Sequence, residues 1–447
     1  MSVNPSSDSV YWAFARMAAC FSFNHACVTT VLSLASSELG KDLGGYSSGT
    51  LYCFYTLIAL FGATAIVDTL GSKQALVAGC AAYCVYVATF LVSAALPAIK
   101  WPVCLGGSVI GGCAAGWLWT AQGEYFTVSA ELHAEGILRE HEENQALLYA
   151  SADQETRDQR FAEEKGRSTA KLAALFSSIY LGGELVLGLA SYFLLKSSWG
   201  KTLCFAAFTV AAVASAFGML ILIPKLPSKA DDLTQDEKPS ALQKSLKGIN
   251  LLLSDPKMIL MYPVQMTFGF TSSFMVYYVT KDVITNHLGE AYIPLLRCVV
   301  SGVAAAGSIP TAHLTKYLGK LPLMITGMLC FLTFAAVFTF APMASVAKFS
   351  AVVPLFIVYG YGRCTFEGLN KAVMCDFFPQ GAAWGANVIV ASGAASSIGF
   401  FVFPNLEKAE MGTVCMAIAC CAIVCYPIAQ AIHLKKDGHV STIDVQK

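Results

Sequence analysis

Of 447 residues, 56% are hydrophobic and only 13% are charged, and the formal net charge is zero. Soluble domains carry about 25% charged residues, so a water-soluble globule is excluded, and no net basic field argues for nucleic acid as a partner. Apolar runs of about 20 residues recur from end to end, each long enough to cross roughly 30 Å of hydrocarbon.

The N-terminal MSVNPSSDSV is polar and has no basic flank. No cleaved signal peptide is expected, and the first helix itself starts insertion. That helix covers residues 11–36 and places Asn24, His25, Thr29 and Thr30 near mid-depth. The second covers 46–67 and ends at Asp68, Gly71 and Lys73; the third covers 74–95. The fourth, 102–128, carries Gly107, Gly111, Gly112 and Gly116, then Trp119, Gln122 and Tyr125. Glycines at this spacing let helices approach closely in lipid. Residues 129–168 are hydrophilic without a sustained apolar stripe and read as a solvated cytoplasmic insertion. The fifth helix, 169–195, holds Glu184 near its middle, and the sixth covers 202–223.

A linker over 224–256 follows, rich in Pro and charge at its start. Its Leu242, Leu246, Ile249 and Leu253 recur at helical spacing, with Lys244 and Lys247 off that face. The pattern suits a short helix lying at the membrane surface. Six more helices are expected over 257–283, 292–312, 321–340, 349–377, 382–403 and 412–434. The fold class is therefore an all-α membrane protein, with twelve transmembrane helices in two six-helix halves. The halves are 1–223, carrying the insertion, and 257–447, with 224–256 between them. Basic residues set the orientation. With both termini cytoplasmic, that side gathers Lys73, Arg139, Arg167, Lys244, Lys320 and Lys435, among others, against Lys41, Lys100, Lys201, Lys281 and Lys348 outside. The sixteen Cys lie within apolar runs and read as small hydrophobes between helices, not as disulfides or metal ligands.

The stretch that organises the second half is YGYGRCTFEGLNKAVMCDFFP, residues 359–379. Arg363, Glu367 and Lys371 are spaced i, i+4, i+8, one stripe on a helix. A charge deep in lipid costs roughly 3 kcal/mol even on lenient scales. The stripe must face protein or a wet cavity, with Lys371 free to snorkel toward the inner surface.

Two halves of six helices around a cytoplasmic linker resemble the major facilitator superfamily. Asp68-x-x-Gly71-x-Lys73 is similar to a degenerate copy of that superfamily's loop motif, with Ser72 where a second basic residue is usual. An Asp placed before a helix also suits the positive end of the helix dipole. The segment from Gly112 to Tyr125, and Tyr359 to Gly362 followed by Asn370 and Asp376-Phe377-Phe378-Pro379, resemble helices four and ten of the Unc-93-like, ion channel regulatory protein, family. The resemblance implies a transporter-like fold whose members include channel regulators and trafficking partners of membrane proteins. It implies no one substrate.

The candidate cavity residues are Asn24, His25, Trp119, Gln122, Glu184, Gln265, Arg363, Glu367 and Asn370. Asp68, Gly71, Lys73 and Asp376 are the candidate conformational residues. Arg363 and Glu367 read either as solute-binding or proton-relaying groups, or as an internal ion pair that fixes packing. Glu184, alone in its helix, reads either as a proton carrier or as a hydrogen-bond partner of a neighbouring helix. Arg297, near the outer end of its helix, reads as a snorkelling side chain. No phosphate loop, metal-spaced His or Cys set or nucleophile elbow points to an enzyme, and no cofactor is expected. Two functions remain: a small-solute or ion transporter working by alternating access, or a non-transporting regulator or escort of a channel or receptor.

Overall fold

A computed structural model of the chain describes residues 5–144, 154–197, 200–227, 241–378 and 389–444. The described residues form helices and short connections, with no strand among them. The first half consists of α1 (Ser7–Glu38), α2 (Lys41–Phe61 continued by Ala63–Leu70), α3 (Ser72–Ala95), α4 (Lys100–Asn144), α5 (Gln154–Lys196) and α6 (Gly200–Leu222). A linker helix, Ala241–Ser254, leads to the second half. There α7 joins Pro256–Phe274 to a π-helical stretch, Met275–Thr285. Next come α8 (Tyr292–Leu318), α9 (Lys320–Phe340) and α10 (Phe349–Phe377). The described part of α11 is Ile389–Ala395 with Ser396–Val402, and α12 is Lys408–Asp444. Among the described residues, nine helices are long and apolar enough to cross a membrane, ten if the bent α2 counts as one span. Helices α7 and α11, which fall outside that count, contain π-helical turns. Trp384, Asn387 and the middle of the linker lie outside the described residues.

Local sequence explains the starts and breaks. Ser6 caps α1 by accepting from the Ser9 amide, and Asp8 in the first turn suits the helix dipole. Asp255 caps α7 by accepting from the amides of Lys257 and Met258, with Pro256 at the first helical position. The bend of 65° in α2 falls at Gly62. Among the described residues only four have positive φ: Gly40, Gly71, Gly289 and Gly319. They form two pairs. Gly40 and Gly289 follow the first helix of each half, and Gly71 and Gly319 separate the second helix from the third. Left-handed turns at matching places, where Gly alone is unstrained, are the clearest trace of the repeat.

Close packing uses the other glycines. A Cβ on Gly112 would stand 2.3 Å from the carbonyl oxygen of Leu51, and one on Gly116 would stand 2.7 Å from the Ile58 side chain. Gly107 meets Thr89 and Gly111 meets Tyr86 in the same way. One face of α4 therefore lies against α2 and another against α3. Outward-facing positions carry bare apolar side chains, including Phe61, Phe193, Val210, Ile221, Ile309 and Phe340. On a soluble protein such a surface would drive association; in a bilayer it meets acyl chains.

The hydrophilic segment over 129–168, expected as a solvated insertion, continues the neighbouring helices through its described residues. Helix α4 runs unbroken to Asn144, 45 residues or about 68 Å, roughly twice the hydrocarbon thickness. Helix α5 starts at Gln154 and runs back beside it. The two are joined by Lys165 to Glu131 at 2.6 Å and by His133 Nδ1 to Ser168 Oγ at 2.8 Å. His133 and Ser168 are buried. The amide and hydroxyl of Ser7 donate to Glu140 at 3.0 Å, and Arg139 donates to the Pro5 carbonyl at 2.8 Å. Through their described residues the two helices lie side by side, and α4 grips the N-terminal end of α1. The segment's apolar stripe is missing because small side chains and polar bonds, not large hydrophobes, fill the seam.

The linker helix touches Ala63–Leu70 and the start of α7, with Leu252 buried and Leu246 and Leu253 exposed. Its Lys244 and Lys247 side chains lie outside the described residues.

Gly112→Ala should destabilise the bundle by about 1–3 kcal/mol, because the new methyl meets backbone that cannot yield. Gly106→Ala, which meets nothing within 4 Å, should be silent. Thermal unfolding of the two detergent-purified variants beside wild type measures the difference.

Candidate functional site

The site grows from the need to satisfy Arg363 inside the bundle. Helix α10 presents it on the buried side, 8% exposed. Its Nη1 and Nη2 donate to the Glu184 carboxylate at 3.0 and 3.2 Å, its Nε donates to Glu367 at 2.6 Å, and Nη1 also reaches Ser301 Oγ at 3.1 Å. Ser301 in turn donates to Glu184 at 2.5 Å. Glu184 comes from α5 and Ser301 from α8, so the network crosses from one half to the other. The fork geometry matches a guanidinium on a carboxylate, which adds direction to charge attraction. Glu184 is therefore not alone; its partner sits 179 residues away in sequence.

A π-helical turn at Thr365–Leu369 follows Arg363 directly. The extra residue in that turn shifts everything after it around the helix axis. Arg363 and Glu367 remain bonded, while Lys371, still within the field of Glu367, is exposed and Asn370 is fully buried. The i, i+8 expectation assumed an unbroken α-helix, and the π turn removes that premise.

Arg297 also departs from the snorkelling expected of it. It lines a cavity between α1, α5 and α8, together with Glu184, Ser301, Thr29, Thr30 and Ser33. The cavity holds about 10 Å³, room for roughly one water.

The remaining candidates divide among other places. Gln265 and Asn370 exchange two amide hydrogen bonds of 3.0 Å, both fully buried, and so tie α7 to α10. Asn24 is fully buried and donates to the Ala212 carbonyl at 2.9 Å, tying α1 to α6. His25 sits among the rings of Phe21, Tyr83, Trp119 and Tyr180, with centroids 5.2 to 5.9 Å away. Its Nδ1 is buried without a hydrogen-bond partner among the described residues. Trp119 belongs to this aromatic group, and Gln122 lies buried one turn further along α4. Neither is brought to Arg363 by a hydrogen bond in the described network. Asp68 lies in the last turn of Ala63–Leu70, not in a loop, because the chain turns only at Gly71. Asp376 meets Lys320 at 2.5 Å, the residue after Gly319, the counterpart of Gly71.

Two features were missed by sequence reasoning. Lys257, at the start of α7, is 7% exposed and donates to the Phe377 carbonyl at 2.8 Å. A cation there satisfies the last turn of α10 and its dipole. The second is a belt of polar bonds at the end away from both termini. Lys41 pairs with Asp282 at 2.6 Å and Lys201 with Glu290 at 2.7 Å. Thr285 bonds Ser37 at 3.0 Å, and Lys196 bonds Tyr292 at 2.9 Å. Each of these contacts joins one half to the other. Their sequence signal was the cluster of charges in short connections, where solvated side chains are the ordinary expectation.

Paired halves, crossed midway along their helices by an ionic network and tied together at one end, define a multi-pass membrane protein with a transporter-like fold. The solved structures agree. The nucleoside transporter NupG has a TM-score of 0.60 at 13% identity, covering 94% of this chain and 98% of its own. The xylose transporter XylE from E. coli, in a partially occluded inward open conformation, has a TM-score of 0.62 at 14% identity, covering 96% and 99%. Within that class, the family described as ion channel regulatory protein UNC-93 matches residues 36–426, and the chain belongs to it. A curated relative, UNC93-like protein 3 of Arabidopsis thaliana, is 24% identical over 300 residues, 65% of this chain. The chain spans 58% of that relative's length.

Arg363→Met should strand the Glu184 carboxylate inside the bundle and cost about 3–5 kcal/mol, whereas adding Glu184→Gln to it should recover much of the loss. Gln265→Leu alone should cost about 1–3 kcal/mol, and Gln265→Leu with Asn370→Leu considerably less, since both partners of the pair are then removed. Unfolding of the single and paired variants in detergent reads both cycles.

Proposed function

We propose that the protein is an alternating-access transporter of a small polar or ionic solute. The observation that carries this reading is the Glu184–Arg363 pair. It joins the two halves midway along their helices beside a polar cavity. An ion pair that served packing alone could sit within one half, whereas this one spans the seam that must open and close. The polar belt at the end away from the termini supports a state closed at that end. A cavity of one water's volume supports an occluded one. We assign Glu184, Arg363 and Glu367 to the solute path, and Gln265 and Asn370 to holding α7 on α10.

A second reading, a regulator or escort of another membrane protein, draws on the helix pair formed by α4 and α5. It projects well beyond the hydrocarbon and supplies a surface that transport itself does not require. The family's description points the same way.

A thermal-stability screen over ions, sugars and amino acids separates the two. The transport reading expects at least one solute to raise the melting temperature of wild type, and not of Glu184→Gln, and expects liposomes bearing wild type to accumulate it. A flat screen, together with a membrane partner that co-purifies only while that helix pair is intact, would favour the regulator.

A further inference from the structure

Among the described residues, Arg297 is a cation of the bundle with unspent donors. A guanidinium carries five N–H donors. Among the described residues, Arg297 makes no hydrogen bond and has no carboxylate within 4 Å. The buried cations are satisfied, Arg363 by two carboxylates and Lys257 by a carbonyl, whereas Arg297 is half-buried against the cavity. Glu184 shares the cavity wall with Arg297, yet both its oxygens already accept from Arg363, and one also from Ser301. Glu367 is engaged by Arg363 Nε. Across the cavity, Thr29 and Ser33 donate their hydroxyls to carbonyls of their own helix, at 3.2 and 2.7 Å. Thr30, 7% exposed, makes no side-chain hydrogen bond among the described residues and keeps its donor for the cavity.

We propose that Arg297 and the Thr30 hydroxyl form a binding site for a small monovalent anion of halide size, held in the cavity between α1, α5 and α8. Three points carry it. The free groups are donors, which select an anion over a metal cation. A half-buried cation at membrane depth that meets Glu184 only through space, with no direct hydrogen bond, carries a cost that an anion beside it offsets. The cavity has room for about one water, which excludes a sugar or an amino acid in this conformation, and a chloride enters it with a small outward shift of the half-buried Arg297 side chain. The site draws residues from both halves, so an anion bound there would favour the state in which they are close. This deepens the transport reading by naming a ligand class for the same cavity. It rests on that reading for movement of the anion but not for its binding.

The test uses full-length protein in phosphatidylcholine nanodiscs, with sodium gluconate exchanged for sodium chloride or bromide at constant ionic strength. Binding to the folded state raises its melting temperature. Wild type should show a saturable rise with chloride and bromide. Arg297→Gln should abolish it, Arg297→Lys should retain part, and Thr30→Val should raise the half-saturating concentration about fivefold, as expected for one lost hydrogen bond. Equal melting temperatures in gluconate and chloride, or a rise that survives Arg297→Gln, would overturn the site. Should Arg297→Gln fail to fold, bromide located in wild type by anomalous scattering decides the question: density beside Arg297 supports the site, and its absence there refutes it. Saturable stabilisation without halide flux into liposomes would leave the site standing and count against its part in transport. Flux of some other solute with no halide effect would do the reverse.

Discussion

One constraint shapes the centre of this protein: Arg363 cannot shed its charge and cannot face lipid at acceptable cost. Each contact around it follows from that. Glu367 lies one turn along the same helix, Glu184 comes from the opposite half, and Ser301 bridges the two partners. Because removing either member of a buried pair leaves an uncompensated charge, the two halves are bound to a particular register midway along their helices. The glycine faces of α4 and the amide exchange between Gln265 and Asn370 act at a different level. They make each half rigid within itself. Rigidity inside the halves and a directional ionic contact between them is the combination that lets the halves move as bodies.

Much of this was legible in the residues. Apolar runs of membrane-spanning length fixed the class. Charges inside the tenth run required neighbouring helices, and the structure places Arg363 where that argument requires. What could not be read was pairing across the seam. Nothing local to Glu184 announces a partner 179 residues away, and periodicity is silent on which of several intramembrane cations it will choose. The π turn after Arg363 was equally hidden. Its first residue, Thr365, lies against Gly327 of α9, where a Cβ would stand 1.8 Å from the Thr365 hydroxyl, and that is a tertiary fact. The side-by-side packing of α4 and α5 within 129–168 gave no amphipathic signal for another reason. Amphipathic pattern searches detect seams of large hydrophobes, and this seam is built of Ala130, His133, Ala134 and Ser168.

The repeat explains where the polar contacts lie. Gly71 and Gly319 make the same left-handed turn, and in the second half the following Lys320 reaches Asp376 at the end of α10. This ties the α8–α9 turn to the helix that carries Arg363. Lys257 reaches the same end of α10 through the Phe377 carbonyl. Helix α10 is thus held at its terminus by two cations and at its middle by Glu184 of α5 and Ser301 of α8, with the π turn between. A displacement at either point is transmitted along a helix with one locally wider turn, where an added or lost residue of register is least costly.

The α4–α5 pair and the ionic centre need not belong to rival accounts. Helix α5 is continuous from Gln154, outside the hydrocarbon, to Lys196. Lys165, bonded across the seam to α4, stands about 29 Å along that helix from Glu184. Described as one rod, α5 gives any protein that grips the α4–α5 pair leverage on the residue that joins the halves. The same rod gives any rearrangement at Glu184 a displacement at that pair. The N-terminal end of α1 is strapped to α4 by Glu140 and Arg139, while α1 also lines the cavity through Thr29, Thr30 and Ser33. Two of the three cavity walls are therefore mechanically continuous with the external surface. Coupling free energy is reciprocal: if a partner biases the central pair, occupancy of the cavity must bias the partner to the same degree. A regulator built this way would need a transporter's centre, because the centre supplies the two states between which the regulator chooses.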